Sequence, residues 1–280
     1  MPVAPNPRQL ILNLLLAADD GELAARDAVS GCALFGIRDN SVRVTLARLA
    51  SAGLIEAAGR GSYRLGPNGS GLAADVSTWR GAEQRAREWK GRWIAAHVGN
   101  LGRSDRVALR ARDRALALLG LRELDRGLFV RPDNLAGGVA GVRERLHKLG
   151  LQEDAAVFLV GEFDPAREAR ARDLWNGKAL TKSYKKTREQ LERWRRRASD
   201  LPPDVAARES FLLGNSAIRQ LVFDPLLPDP LVDIAERRAF VAAVLAFDRA
   251  GRDIWQRLRR PLAPTIPNRS PEAAHRSLEP

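Results

Sequence analysis

The sequence predicts a mainly α chain with α+β parts, in three units. These are an N-terminal winged helix-turn-helix over residues 1–70, a ferredoxin-like middle unit over 71–165 and a helical C-terminal unit over 166–262, with a flexible tail over 263–280. Three observations carry this. Helical patterns broken by a glycine turn precede a glycine-tipped strand pair, strand and helix patterns then alternate, and the last third keeps a helical apolar period without strands. At 280 residues there is room for two or three such units.

Residues 8–18 (RQLILNLLLAA) form a compact apolar helix, stopped by Asp19-Asp20-Gly21. A second short helix spans 24–35, Gly36 turns the chain, and a third helix follows in FGIRDNSVRVTLARL, with Asp39 or Asn40 as its cap. Val42, Leu46 and Leu49 give that helix one apolar stripe. LIEA at 54–57 and Ser62-Tyr63-Arg64-Leu65 flank a glycine-rich tip and read as a hairpin, and residues 66–71 read as a linker. The middle third offers strands at 92–98, 127–131 and 155–160, with helices at 104–119 and 138–149. The last third offers a charged helix at 166–198 with Leu180, Tyr184, Leu191 and Trp194 on one stripe, and a second helix at 204–222. A proline-rich turn at 224–230 leads to a long helix at 234–259, striped by Phe240, Val244, Phe247, Gly251, Ile254 and Leu258.

Opposite its apolar stripe, the third helix presents Asn40, Val44 and Ala47, with Arg43 and Arg48 on the flanks and Ser41 near the edge. These side-chain types suit a DNA major groove. Arg grips guanine and Asn grips adenine with paired hydrogen bonds, while small apolar groups meet thymine methyls. Arg60 at the hairpin tip, with Tyr63 and Arg64 beside it, suits phosphates or a minor groove. A solvated helix face remains the bland alternative. The net charge of +12 favours an anionic partner, yet residues 1–70 carry 7 basic against 6 acidic side chains. Any DNA contact there works by placement of a few arginines.

Most of the surplus lies at 167–197, with 12 basic and 4 acidic side chains. Three readings stand: a solvated exterior, non-specific contact with flanking DNA, or a site for ligand phosphates. In the third, Lys182, Lys185, Lys186 and Arg188 neutralise phosphates while Tyr184 packs an acyl group.

Other chemistry finds little support. No phosphate-binding glycine loop or nucleophile elbow is present, one cysteine (Cys32) gives neither a zinc motif nor a disulfide, and His97, His147 and His275 are scattered. No catalytic residue, cofactor or metal is therefore expected. The six tryptophans default to core or interdomain packing, with Trp89 and Trp93 on one side of the first middle strand. The opening residues lack a secretory pattern and the longest apolar runs are far shorter than a membrane span, so a cytoplasmic location without membrane contact is expected.

The segments ARDAVSGCALFGIRDNSVRVTLARLASAGLIE, RGSYRLG, REWKGRWIAAHV, RGLFVRP and LVFDPLLP, in that order over about residues 8–260, resemble the PaaX-type transcriptional repressors of phenylacetate and related aromatic catabolism. The resemblance implies a homodimer on double-stranded DNA at a palindromic operator. It also implies a middle unit similar to small CRISPR-associated nucleases, a C-terminal effector and dimerisation unit, and release by an aryl-CoA thioester such as phenylacetyl-CoA. Nucleases of that kind place an Asp at the end of the first strand, whereas here the strand ends Ala95-Ala96-His97-Val98-Gly99, and Asp105 is placed to cap the next helix. The expected function is thus a ligand-responsive repressor. An architectural DNA-binding protein without an effector, or a metal-dependent nuclease, are the alternatives.

Overall fold

The structure, a computed structural model, describes residues 5–18, 20–69, 80–81, 83–102 and 104–259. Asp19, Ser70, Gly71, Trp79, His275 and the expected tail lie outside the described residues. The chain is mixed α+β, with two small antiparallel sheets.

Helix α1 (Pro7–Leu16) starts at Asn6, whose side chain accepts from the Arg8 amide at 2.9 Å, and Pro7 fits its first turn. It buries Leu10, Ile11, Leu14 and Leu15. Next comes a three-residue strand, β1 (Glu22–Ala24), that the sequence pattern did not announce because three residues carry no readable alternation. Helix α2 (Ala25–Ala33) follows at once, and Gly36, at φ +72°, turns the chain into α3 (Asp39–Ser51). Strands β2 (Ile55–Gly59) and β3 (Ser62–Leu65) form the expected hairpin, with Gly61 at φ +78° in its tip. β3 pairs with both β1 and β2, giving the order β1-β3-β2. Residues 66–69 are packed rather than free. The Gly66 amide donates to the Leu54 carbonyl at 3.0 Å, and a Cβ at Gly69 would clash with that carbonyl oxygen.

The middle unit runs β4 (Trp93–His97), α4 (Arg106–Leu118), β5 (Arg122–Asp125), β6 (Leu128–Pro132), α5 (Gly138–Lys148) and β7 (Ala156–Val160), in the sheet order β5-β6-β4-β7. The strands and helices named from the sequence run β-α-β-α-β, and β5 completes the β-α-β-β-α-β order of a ferredoxin-like unit. Asp105 caps α4, accepting from the amides of Val107 and Ala108 at 2.8 and 3.1 Å. The alternation of β4 divides its neighbours: Ile94 and Ala96 face a core with α4 and α5, while Trp93 and Ala95 face the C-terminal helices. Both sheet faces are thus covered, and apolar packing runs without a break across residue 165.

The charged helix expected over 166–198 is two helices, α6 (Pro165–Arg172) and α7 (Gly177–Arg197), because Asn176 starts a new one by accepting from the Ala179 amide. α8 (Pro203–Val222) and α9 (Ile234–Arg259) complete the bundle. Tyr184 stacks on Phe240 and Trp194 lies 4.7 Å from Phe247, while Leu258 is left exposed. Trp89 and Trp93 meet edge to face, and Trp93 stacks on Trp175.

The turn after α8 is held by two buried guanidinium groups. Arg131 donates to the carbonyls of Leu119, Pro132 and Pro225 and to Asn134 Oδ1, and burial lowers its pKa to about 9. Arg237 donates to the Leu227 carbonyl and pairs with Glu83 at 2.8 Å. Asn134 links the two sides, since its Nδ2 donates to the Leu226 carbonyl at 2.6 Å.

Replacing Asn134 by Ala leaves an Arg131 N–H and the Leu226 carbonyl without this partner, and is expected to lower the free energy of unfolding by about 1–3 kcal/mol in urea titrations. Cys32 is fully buried, and burial raises its thiol pKa from 9.0 to about 11. The stability its neutral form contributes is complete below pH 9.0 and falls as the pH rises towards about 11. Correspondingly, a thiol-reactive disulfide reagent at pH 8 should label it only at the rate of unfolding.

Candidate nucleic-acid interface and an apolar groove

Val42, Leu46 and Leu49 are buried against α1 and α2, as their spacing of four and three residues requires. That packing turns Asn40, Ser41, Arg43, Val44, Ala47 and Arg48 to one exposed side of α3. Neither Asp39 nor Asn40 is the cap. Arg38 occupies that position in extended conformation, and Asp39 lies in the first turn, where its charge complements the helix dipole. Asp39 also clamps Arg43 through two bonds, Nε to Oδ1 at 2.7 Å and Nη2 to Oδ2 at 3.2 Å. This hydrogen bonding raises the Arg43 pKa and folds the side chain back along the helix. A base contact by Arg43 therefore means exchanging one acceptor for another.

Arg60 is exposed at the hairpin tip. Arg64 is held across the strands by Glu56 at 2.7 Å, and the two residues are register partners. Tyr63 differs from expectation: it is half-buried against the core of the N-terminal unit, because alternation along β3 points it away from the side that carries Arg64.

The expected ligand cluster does not assemble. Lys182, Lys185 and Lys186 are exposed on α7, whereas Tyr184 is 0% exposed and stacks on Phe240 at 5.5 Å. Each helical step rotates the side chain by about 100°, so neighbours in sequence point to opposite sides. Arg188 binds Glu236 at 2.7 Å and Glu192 at 3.3 Å, tying α7 to α9. Several other cations of the basic stretch are also paired: Arg167 and Arg170 with Asp125, Arg172 with Glu168 and Arg197 with Glu209.

A feature absent from the sequence reading is a groove of 440 Å³ between α1, α8 and α9, reached also by Arg80 and by Arg114 of α4. Asn13 of α1 donates across it to Asn215 of α8 at 3.1 Å. Phe211, Ile218, Phe247 and Trp255 line its apolar wall. Phe211 meets Phe35, in the turn before α3, at 5.3 Å and Trp255 at 6.4 Å. At the polar end, Asp248 lies between Arg80 at 3.0 Å and Arg252 at 3.3 Å. The buried Arg252 Nε makes no hydrogen bond among the described residues. The signal in the sequence was a second apolar face on α8, with Phe211, Ile218 and Val222 beyond the stripe that packs on α9.

Among the described residues no group of three or more His, Cys, Asp or Glu is placed to hold a metal ion. His97 is exposed, and His147 Nδ1 lies 3.0 Å from the Leu151 carbonyl. No helix among the described residues is long and apolar enough to cross a membrane.

The difference between the two sides of α3 has a direct consequence for stability. Leu46→Ala should cost about 2–5 kcal/mol by leaving a cavity, whereas Arg43→Ala and Arg60→Ala should melt within error of the wild type in thermal unfolding followed by circular dichroism.

Residues 175–257 match the family model of the PaaX-like protein C-terminal domain. The helical third is therefore PaaX-like, in agreement with the resemblance carried by the sequence motifs. No curated protein matches the chain to significance. Among solved structures, the uncharacterized protein Rv0674 from Mycobacterium tuberculosis superposes with a TM-score of 0.57 at 23% identity, covering 90% of this chain and 99% of that one. At that identity the likeness speaks for the fold.

Proposed function

With a PaaX-like C-terminal domain as the premise, we propose that this chain is a transcriptional repressor whose N-terminal unit is a winged helix-turn-helix. In this reading α3 enters the major groove and the β2–β3 hairpin is the wing. The observation that carries it is the exposed side of α3, where Asn40, Arg43 and Arg48 surround the small Val44 and Ala47 while the opposite side is fully buried. A solvated face needs no such combination of groove-reading polar groups and small residues that permit close approach. Arg60 at the tip supplies a phosphate contact, and Arg64 joins it on giving up Glu56.

The protein acts as a homodimer on a palindromic operator, because two recognition helices one or more turns apart match two half-sites. It regulates rather than catalyses and works in the cytoplasm. An aryl-CoA thioester is the effector class, and its binding weakens DNA binding by favouring another arrangement of the units.

Purified protein titrated against its own promoter region and random DNA at physiological salt tests the proposal. Equal affinity for the two overturns it. Arg43→Ala should weaken promoter binding about ten-fold or more and relax base preference at one position per half-site. Arg60→Ala should weaken all sequences alike and reduce the salt slope by about one. Thermal-shift measurements with acyl-CoA esters separate an effector-responsive repressor, whose melting temperature rises, from an architectural DNA-binding protein, whose melting temperature does not.

A further inference from the structure

The groove between α1, α8 and α9 has the position and the chemistry of a regulatory site. Its position is the contact between the DNA-facing unit and the helical unit: Asn13 comes from the first and Asn215 from the second. Its wall is aromatic, with Phe211, Phe247 and Trp255 beside Ile218. A volume of 440 Å³ takes an aromatic acyl group with a short polar extension, so that any nucleotide-bearing tail lies outside. Its polar end is cationic. Asp248 pairs with the guanidinium groups of Arg80 and Arg252, and the buried Arg252 Nε has a donor unused among the described residues. An anionic acceptor satisfies that donor with a charge-assisted hydrogen bond, which is stronger than the bond a neutral acceptor makes.

The groove also reaches the recognition helix by contact. Phe211 meets Phe35 edge to face at 5.3 Å, and Phe35 precedes the Gly36 turn into α3. On the other flank, a Cβ at Gly31 of α2 would lie 3.4 Å from the Trp255 ring, so that indole sits directly on the helix before the turn.

We propose that this groove binds an aromatic organic anion, with its ring against Phe211, Phe247 and Trp255 and its anionic group at Arg252, and that occupancy displaces Phe35 and thereby the entry into α3. The site stands on the groove itself, and only its effect on DNA rests on the repressor reading. Linkage makes the two binding events reciprocal.

The test uses full-length protein and the fluorescent aromatic sulfonate 1-anilinonaphthalene-8-sulfonate, competed by phenylacetate, phenylacetyl-CoA, free CoA, acetate and phenylacetamide. Displacement by phenylacetate, but not by acetate, phenylacetamide or free CoA, is expected. Displacement by phenylacetyl-CoA, whose acyl end is a neutral thioester, without displacement by phenylacetate overturns the placement of an anionic group at Arg252. Ile218→Trp, which fills the groove, and Arg252→Gln, which removes the cation, should each weaken competitor binding at least ten-fold. Should Ile218→Trp fail to fold by circular dichroism, Arg252→Gln carries the test.

Wild-type affinity in the folded variants, or equal displacement by phenylacetamide, overturns the site. The competitor should also weaken promoter binding about ten-fold in the wild type and leave Arg252→Gln unaffected. Bound competitor with unchanged promoter affinity overturns the coupling. A wild-type protein that binds no promoter DNA overturns the repressor reading, while the fluorescence titration still decides the site.

Discussion

Two buried guanidinium groups join the middle sheet to the helical bundle. Arg131 and Arg237 are both about 1% exposed; Arg131 donates to the carbonyls of Leu119, Pro132 and Pro225, and Arg237 to the Leu227 carbonyl, so each reaches the turn that joins α8 to α9. A buried cation is tolerable only when its donors are satisfied, and carbonyl oxygens held by a proline-rich turn do this without chain entropy to lose on each encounter. Asn134 and Glu83 complete the arrangement from the middle unit. The middle sheet and the helical bundle thus share one body, with Trp93, Trp175 and Val130 packed into the core that also contains Tyr184 and Trp194.

The N-terminal unit is attached by a different kind of contact. Its link to the bundle runs through Phe35, Phe211 and Trp255, together with the Asn13–Asn215 hydrogen bond. Edge-on aromatic pairs contribute about 0.5–1.5 kcal/mol each beyond their buried area, and a neutral hydrogen bond a similar net amount. Charge-assisted bonds to buried groups contribute about twice that, and removing a partner costs more again. The junction of lower cost is therefore the one beside the groove.

Legibility in the sequence followed the length and regularity of each element. α3 and α9 were readable because many residues repeat one period against one partner surface, and Val42, Leu46 and Leu49 are buried as their spacing demands. β1 and β5 were not, since three or four residues form strands only when a neighbouring strand supplies their hydrogen-bond partners. The single long helix expected at 166–198 broke at Asn176, where one side chain accepting an amide outweighs a continuous charge pattern. Tyr184 lies in the core on the stripe its spacing predicts, but grouping it with Lys182, Lys185 and Lys186 took proximity in sequence for proximity in space, since the helix sends those lysines to water.

The exposed side of α3 was legible in full as a set of residues, because helical rotation alone decides which side chains oppose an apolar stripe. Its clamp was not, since choosing between a cap and an i,i+4 ion pair for Asp39 depends on where the helix begins, by one residue. By itself the sequence determined the two-sided character of α3, which rests on local periodicity and spacing. Tertiary structure alone decided which arginines are already spent on carboxylates, which tyrosine is out of reach, and that α1, α8 and α9 converge on an apolar groove beside Phe35. These depend on residues up to about two hundred positions apart, whose meeting is set by how whole elements pack and leaves no periodic trace in the chain.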